Sequence, residues 1–138
     1  MAKMSEKWGK RGILPPGPLT DTELKEAVTN ILTAAFEGGS YGIGYWSPAM
    51  VEVPEWPFGC NLAAEVPSAG GKIRISEEED EGSGKLVWHD LDYAKMLKGI
   101  ELAADYNGQS VRKFVEEHDA PAAEVAVQLA LFGEVVYG

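Results

Sequence analysis

The sequence predicts an α+β fold in which a small antiparallel sheet packs against three to four helices. A segment near residue 73 alternates apolar and polar residues with a period of two, which is typical of a half-buried strand. Apolar residues recur at helical spacing both before and after this segment. The chain has 138 residues, a length typical of one domain with its own core.

The first helix is predicted over about residues 20–37. Thr20 and Glu23 fit a capping box, in which two side chains bond backbone N–H groups at a helix start. Gly38 and Gly39 then mark the helix end. One helix face carries an apolar stripe, formed by Leu24, Val28, Ile31, Leu32 and Ala35.

Residues 37–46 combine four glycines with three large aromatic residues. Such a stretch suits either a tightly packed turn or a ligand platform, and both interpretations remain open. Residues 40–70 are predicted to be an irregular excursion with a short strand near Val51 and Val53, because prolines interrupt any longer element. Four large side chains are expected to pack this excursion, namely Trp46, Trp56, Phe58 and Leu62.

A β-hairpin is predicted over about residues 71–89. Residues 72–76 alternate, which places Ile73 and Ile75 on one face, and residues 85–89 form the partner strand. The acidic, glycine-rich connection 77–84 is expected to be a solvated loop.

The rest of the chain is predicted to be helical, with helices over about residues 91–106, 110–117 and 120–132. Asp90 or Asp92 caps the first of these, and Asp119 caps the last. The last helix is apolar nearly all round, which is typical of a central buried helix. Gly133 ends it, and residues 135–137 are a candidate short strand.

We expect residues 1–19 to form a flexible, basic, proline-rich arm and residues 20–138 to form a single globular domain. The net charge of −10 disfavours binding to nucleic acid or to anionic membranes. Cys60 is the only cysteine, so no disulfide within the chain and no cysteine-based zinc site is expected. The first residues lack the apolar segment of a signal peptide, and no apolar run has the length of a membrane span.

Two segments resemble a family of small, uncharacterised phage and prophage proteins. They are residues 36–40, Phe-Glu-Gly-Gly-Ser, followed by Tyr45 and Trp46, and the ending 131–138, Leu-Phe-Gly-Glu-Val-Val-Tyr-Gly. Residues 70–75 and 97–100 also fit, so the resemblance covers about residues 20–138. It implies a viral origin, hence the host cytoplasm as location, and it carries over no catalytic residues.

Metal and nucleophilic chemistry are weakly supported by the sequence. His89, Asp90 and Asp92 are candidate metal ligands, but a structural site needs more histidine or cysteine at fixed spacing. Cys60 has no obvious activating partner, and the glycines at 38–44 follow a helix, whereas a dinucleotide-binding loop precedes one. We therefore expect no metal, no cofactor and no enzymatic activity.

Stacking on aromatic rings is the chemistry that the sequence supports best. Candidate ligand-binding residues are Tyr41, Tyr45, Trp46, Arg74 and Trp88. The alternative for each ring is core packing. With the resemblance, these residues lead us to expect a non-enzymatic, homo-oligomeric phage protein that sequesters a host nucleotide signal. Two alternatives remain. One is an acidic inhibitor that mimics nucleic acid and binds a host defence protein, which the net charge and residues 77–81 favour. The other is a small enzyme using Glu37, His89 or Asp90.

Overall fold

A computed structural model describes residues 19–37, 50–79 and 82–136, and in these ranges it has four α-helices and a three-stranded antiparallel sheet. The predicted α+β fold is confirmed. The helices are α1 (Asp21–Glu37), α2 (Tyr93–Tyr106), α3 (Val111–Glu117) and α4 (Ala120–Phe132). The strands are β1 (Val51–Glu52), β2 (Lys72–Glu78) and β3 (Leu86–Asp92), and two 3₁₀ turns lie at Ala63–Glu65 and Pro67–Ala69. None of the described helices is long and apolar enough to span a bilayer.

The sheet has the order β1-β2-β3, with β2 in the centre. Ile75 lies opposite Val51 on one side and His89 on the other. Because side chains alternate along a strand, Ile73 and Ile75 point to the core, where both are fully buried. Lys72 and Arg74 lie on the opposite, outward face, as the alternation predicts.

The hairpin is longer than predicted, because the ladder between β2 and β3 includes Glu77 and Glu78. The expectation that these two residues belong to a solvated loop is wrong. Glu79 N–H donates to the Lys85 carbonyl at 2.8 Å, which extends the pairing by one more bond. The Glu78 carboxylate accepts the N–H groups of Gly82 and Gly84, so this acidic residue holds the turn together.

Helix α4 is central, as its apolar sequence predicts. It packs against α2, α1 and β3, and Ala126 and Val127 are fully buried. Gly99 of α2 lies against the backbone of α4, because a Cβ atom at this position would be 2.5 Å from the Ala126 carbonyl oxygen. Gly133, with a φ of 74°, ends α4.

The helix starts follow the predicted caps. The Thr20 N–H donates to Glu23 at 2.8 Å and the Glu23 N–H donates to the Thr20 hydroxyl at 3.1 Å. Asp92, rather than Asp90, caps α2 by accepting the Lys95 N–H at 2.9 Å. The remaining two caps are Ser110 for α3 and Asp119 for α4.

Two local predictions are wrong. Val135 and Val136 form no strand; instead, the Val136 N–H donates to the Gln128 side-chain oxygen at 2.8 Å. Trp56, Phe58 and Leu62 are exposed rather than packed inside, because the core below this segment is filled by Ala64, Val66 and Pro67. Residues 1–18, Gly38, Gly39, Trp46 and Tyr137 lie outside the described ranges.

Candidate functional site

The outward face of the sheet brings oppositely charged side chains into one row. Glu52, Arg74 and Asp90 lie side by side across the three strands. The Arg74 Nε is 3.3 Å from an Asp90 oxygen, and its Nη1 is 3.8 Å from Glu52. The side chains of these pairs are roughly half exposed to solvent, so the pairs contribute little to stability.

Three basic side chains converge on Asp90. The Lys72 Nζ lies 3.0 Å from its Oδ2, Arg74 bonds its Oδ1, and the Lys95 Nζ donates to its backbone carbonyl at 2.7 Å. The hydrogen bond from Lys72 is the largest cause that lowers the pKa of Asp90, and the charges of Lys72 and Arg74 lower it further. Lys72, Arg74 and Lys95, which we call the basic cluster, therefore surround Asp90, and Glu52 is a second carboxylate paired with Arg74.

Trp88 lies on the same face, one row from Arg74. It is opposite Ser76, so it and Arg74 are diagonal neighbours across β2 and β3. Trp88 is 37% exposed. Met50 bonds Ser76 through both its N–H and its carbonyl, which places a second exposed apolar side chain in this row.

The structure therefore brings together two of the five predicted ligand-binding residues, Arg74 and Trp88. The other three, Tyr41, Tyr45 and Trp46, lie outside the described ranges, so their role stays a prediction. The sequence did not suggest Lys95 as a neighbour of Arg74, because their proximity depends on where α2 begins. The ion partners of Lys72 and Arg74 are Asp90 and Glu52, not the acidic residues of the hairpin turn.

A cleft of about 340 Å³ adjoins the basic cluster at the end of the hairpin. Its lining residues are Pro54, Glu55, Gly70, Gly71, Lys72 and Asp92. Gly71 has no room for a side chain, because a Cβ atom there would lie 2.8 Å from Val66 and 2.9 Å from Pro57. Lys72 belongs to both the cleft and the cluster, which makes the two one continuous surface.

His89 and Glu77 form a second polar pair, on the inward side of the sheet. The His89 Nε2 lies 2.6 Å from Glu77, and Phe132 meets the His89 ring edge to face at 5.1 Å between centroids. His89 and Asp90 are adjacent in β3, so they point to opposite faces and do not form one site. The side chain of Glu37, the third residue of the enzyme hypothesis, lies outside the described part of the chain.

Sequence reasoning passed over two buried polar residues of α4. Glu124 and Gln128 are buried and lie four residues apart, on one helix face. Gln128 holds the C-terminal segment through its bond to Val136. The spacing of Glu124 and Gln128 is the feature of the sequence that could have indicated their burial. Polar residues at i and i+4 of an otherwise apolar helix indicate a hydrogen-bonded contact inside the core.

The described residues provide little support for nucleophilic catalysis by Cys60 or for a metal site. The Cys60 thiol donates to the Glu65 carbonyl at 3.8 Å, and no described hydrogen bond joins it to His89 or His118. His118 bonds the Val115 carbonyl and stacks on Phe114. Among the described residues, no group of three or more histidine, cysteine or acidic side chains is placed to hold a metal ion.

No protein-family model, curated protein or solved structure matches this chain. The resemblance to phage proteins thus stays a prediction from the sequence motifs.

Proposed function

We propose that the protein binds a small nucleotide-like ligand on the outward face of its sheet and catalyses no reaction on it. The observation that carries this proposal is the half-exposed Trp88 beside the basic cluster of Lys72, Arg74 and Lys95. With the phage resemblance, the biological role is to sequester a host nucleotide signal in the host cytoplasm, as a homo-oligomeric counter-defence protein.

The two parts of the site match the two parts of a nucleotide. A base stacks on the indole of Trp88, an interaction worth about 1–3 kcal/mol. A phosphate meets Arg74, whose guanidinium can form two parallel hydrogen bonds with phosphate oxygens. Diagonal neighbours of an antiparallel pair are about 7–8 Å apart, a separation that the base and phosphate of one nucleotide can span.

Asp90 and Glu52 compete with the phosphate for the same cations. The pairs that Lys72 and Arg74 form with these carboxylates are exposed to solvent, and exposed ion pairs are weak. A phosphate that carries more charge than one carboxylate can therefore replace Asp90 at Arg74 and Lys72. The pKa of Asp90 is lowered first by the Lys72 hydrogen bond and then by the charges of Lys72 and Arg74, so these side chains already stabilise one anion.

Calorimetric titration with a panel of cyclic oligonucleotides and NAD-derived signals tests the proposal. We expect at least one member of the panel to bind, and Trp88→Ala to weaken that binding about 5- to 150-fold through loss of stacking. Val87→Ala is the matched control, because Val87 is the adjacent residue, is 38% exposed and points to the other face of the sheet. It should leave affinity unchanged.

The proposal is wrong if folded protein gives no heat with any member of the panel. It is also wrong if Trp88→Ala and Val87→Ala reduce affinity equally, since the effect would then be general to β3. Arg74→Gln adds a second check, because it should weaken phosphorylated ligands and leave the parent nucleosides unaffected.

The acidic-inhibitor alternative loses part of its original basis. Two of the glutamates in residues 77–81 have structural roles, because Glu77 bonds His89 and Glu78 holds the hairpin turn. Glu79 pairs with Lys85 at 3.4 Å. Glu77, Glu78 and Glu79 are thus tied to partners within the hairpin.

A further inference from the structure

Three large apolar side chains project into solvent from residues 55–62, a segment that we call the docking loop. Trp56 is 49% exposed and Leu62 is 55% exposed. Phe58, between them, is fully exposed, at 105% of its reference area. Phe58 therefore contributes nothing to the core of its own chain, although burial of a phenylalanine is worth about 1.5–3 kcal/mol.

The docking loop has a fixed backbone. The Cys60 N–H closes a turn on the Pro57 carbonyl at 3.2 Å, and Gly59 has a φ of 88° that other residues rarely adopt. The Glu65 carboxylate accepts the N–H groups of Asn61 at 2.9 Å and Leu62 at 3.1 Å. A rigid loop that displays an aromatic ring loses little entropy on binding, so it is preorganised for contact.

The charges around the docking loop restrict its partner. Residues 50–71 contain three carboxylates, Glu52, Glu55 and Glu65, and no lysine, arginine or histidine. Glu52 pairs with Arg74 and Glu55 lines a cleft with Lys72, so Glu55 and Glu65 are the two without an ion pair among the described contacts. The pKa of Glu65 is lowered by its backbone hydrogen bonds, so it carries its charge into the acidic range. Contact between the docking loops of two copies is a poor fit, because it would bring the carboxylates of both loops together without a basic partner.

We propose that the docking loop binds a protein that has an apolar pocket bordered by lysine and arginine, with Phe58 inserted in the pocket. Trp56 and Leu62 pack at the pocket edge and exclude water, as residues around a central aromatic anchor do. Glu55 meets the basic border and steers the encounter. The anchoring side chains Trp56, Phe58 and Leu62 lie outside the nucleotide site, although Glu55 lines the cleft that adjoins it.

Selection of short cyclic peptides from a random displayed library, with the wild-type protein as bait, tests the inference. We expect the selected peptides to combine lysine or arginine with large apolar residues, and their affinity to fall as salt concentration rises. Phe58→Ser should weaken them about 30-fold, the loss typical of a central aromatic anchor. Phe58→Ser should fold normally, since the ring is fully exposed.

Tyr106→Ser is the matched control, because Tyr106 is an aromatic residue that is 64% exposed at the end of α2. It should not change peptide affinity. The inference is overturned if the selected peptides bind Phe58→Ser as well as wild type, or if they lack basic residues. Sedimentation equilibrium measures whether the protein self-associates. Self-association that disappears in Phe58→Ser would overturn the inference, because the loop would then bind a second copy of the chain.

Discussion

Glu65 accepts two backbone hydrogen bonds at the base of the docking loop, from Asn61 and from Leu62. The bond from Asn61 is the largest cause of its lowered pKa, followed by the bond from Leu62, and burial opposes both. A carboxylate with a lowered pKa in the folded state stabilises the fold above its unfolded pKa, which is about 4.3 for glutamate. That stabilisation is lost as pH falls through the folded pKa.

Glu65→Gln should therefore change the acid dependence of stability. The glutamine oxygen can still accept one of the two N–H groups, but it does not titrate. We expect wild type to be the more stable protein at pH 7 and its advantage to shrink as pH falls from about 5 to about 3. Urea unfolding of both proteins at each pH measures this. An advantage that stays constant over that range contradicts the assignment of the lowered pKa to Glu65.

Arg74 and Trp88 show how much of the site a sequence can predict at the residue scale. Their outward direction follows from the alternation of Ile73 and Ile75 and from hairpin pairing, both visible in the sequence. The position of Lys95 next to Asp90 does not follow, because it depends on the first turn of α2 folding back onto β3. Contacts within a strand pair are thus predictable, whereas contacts between elements depend on packing.

Among the secondary-structure elements, α2 and α4 approach most closely at Gly99. A Cβ atom at this position would lie 2.5 Å from the Ala126 carbonyl oxygen, 2.6 Å from the Ala130 Cβ and 2.9 Å from the Ala130 N. Two of these three atoms belong to the backbone of a central helix, so they cannot move without shifting α4. Glycine is therefore required here by packing, although it lowers intrinsic helix propensity.

Gly99→Ala should destabilise the protein, against the trend of helix propensity. Alanine is favoured over glycine by about 1 kcal/mol in a helix interior, whereas overpacking a core costs about 1–3 kcal/mol. We expect a net loss of up to about 2 kcal/mol in urea unfolding. Ala94→Gly, at an exposed position of α2, is the control and should cost about 0.5–1 kcal/mol from propensity alone. A stabilising Gly99→Ala would contradict the close approach of the two helices.

Element boundaries were less predictable than the elements themselves. The caps of α1, α2 and α4 were recognised from side chains that bond the first turn, which is a local property. Glu77 and Glu78 were assigned to a loop because acidic residues and glycine surround them, yet cross-strand hydrogen bonds extend the ladder through both. Residues of low strand propensity can thus lie in a strand where the partner strand supplies their hydrogen bonds.

At the scale of the whole molecule, apolar composition predicts that the side chains of the docking loop are buried, whereas the structure exposes them. Trp56, Phe58 and Leu62 were expected inside because large apolar residues are usually buried. The core below the loop is already filled by smaller residues, and a one-sequence pattern does not show how much volume remains. The exposed rings are therefore visible only in three dimensions, and they carry the inference of a protein partner.

The excess of acidic residues is the other property of the whole molecule that affects stability. There are 22 acidic and 12 basic residues, so the folded state gathers a net charge of −10 into a small volume. The described ion pairs are mostly exposed, and each contributes about 0–1 kcal/mol. Salt weakens these pairs, but it also screens the repulsion among all the unbalanced carboxylates. The balance of the two effects decides the sign of the salt dependence.

We expect repulsion to dominate, so that added salt stabilises the fold. The screening length falls from about 30 Å at 0.01 M salt to about 8 Å at 0.15 M, which removes most of the long-range repulsion. A gain of about 1 kcal/mol corresponds to a rise in Tm of about 2–8 °C for a chain of this size. Thermal unfolding at the two salt concentrations measures it. The double variant Asp105→Lys with Glu117→Lys, both at exposed positions, should show a smaller rise because it carries less excess charge. A wild-type Tm that falls with salt would contradict this expectation. It would mean that the ion pairs on the outward sheet face stabilise the fold more than exposed pairs usually do. A phosphate would then replace Asp90 less readily.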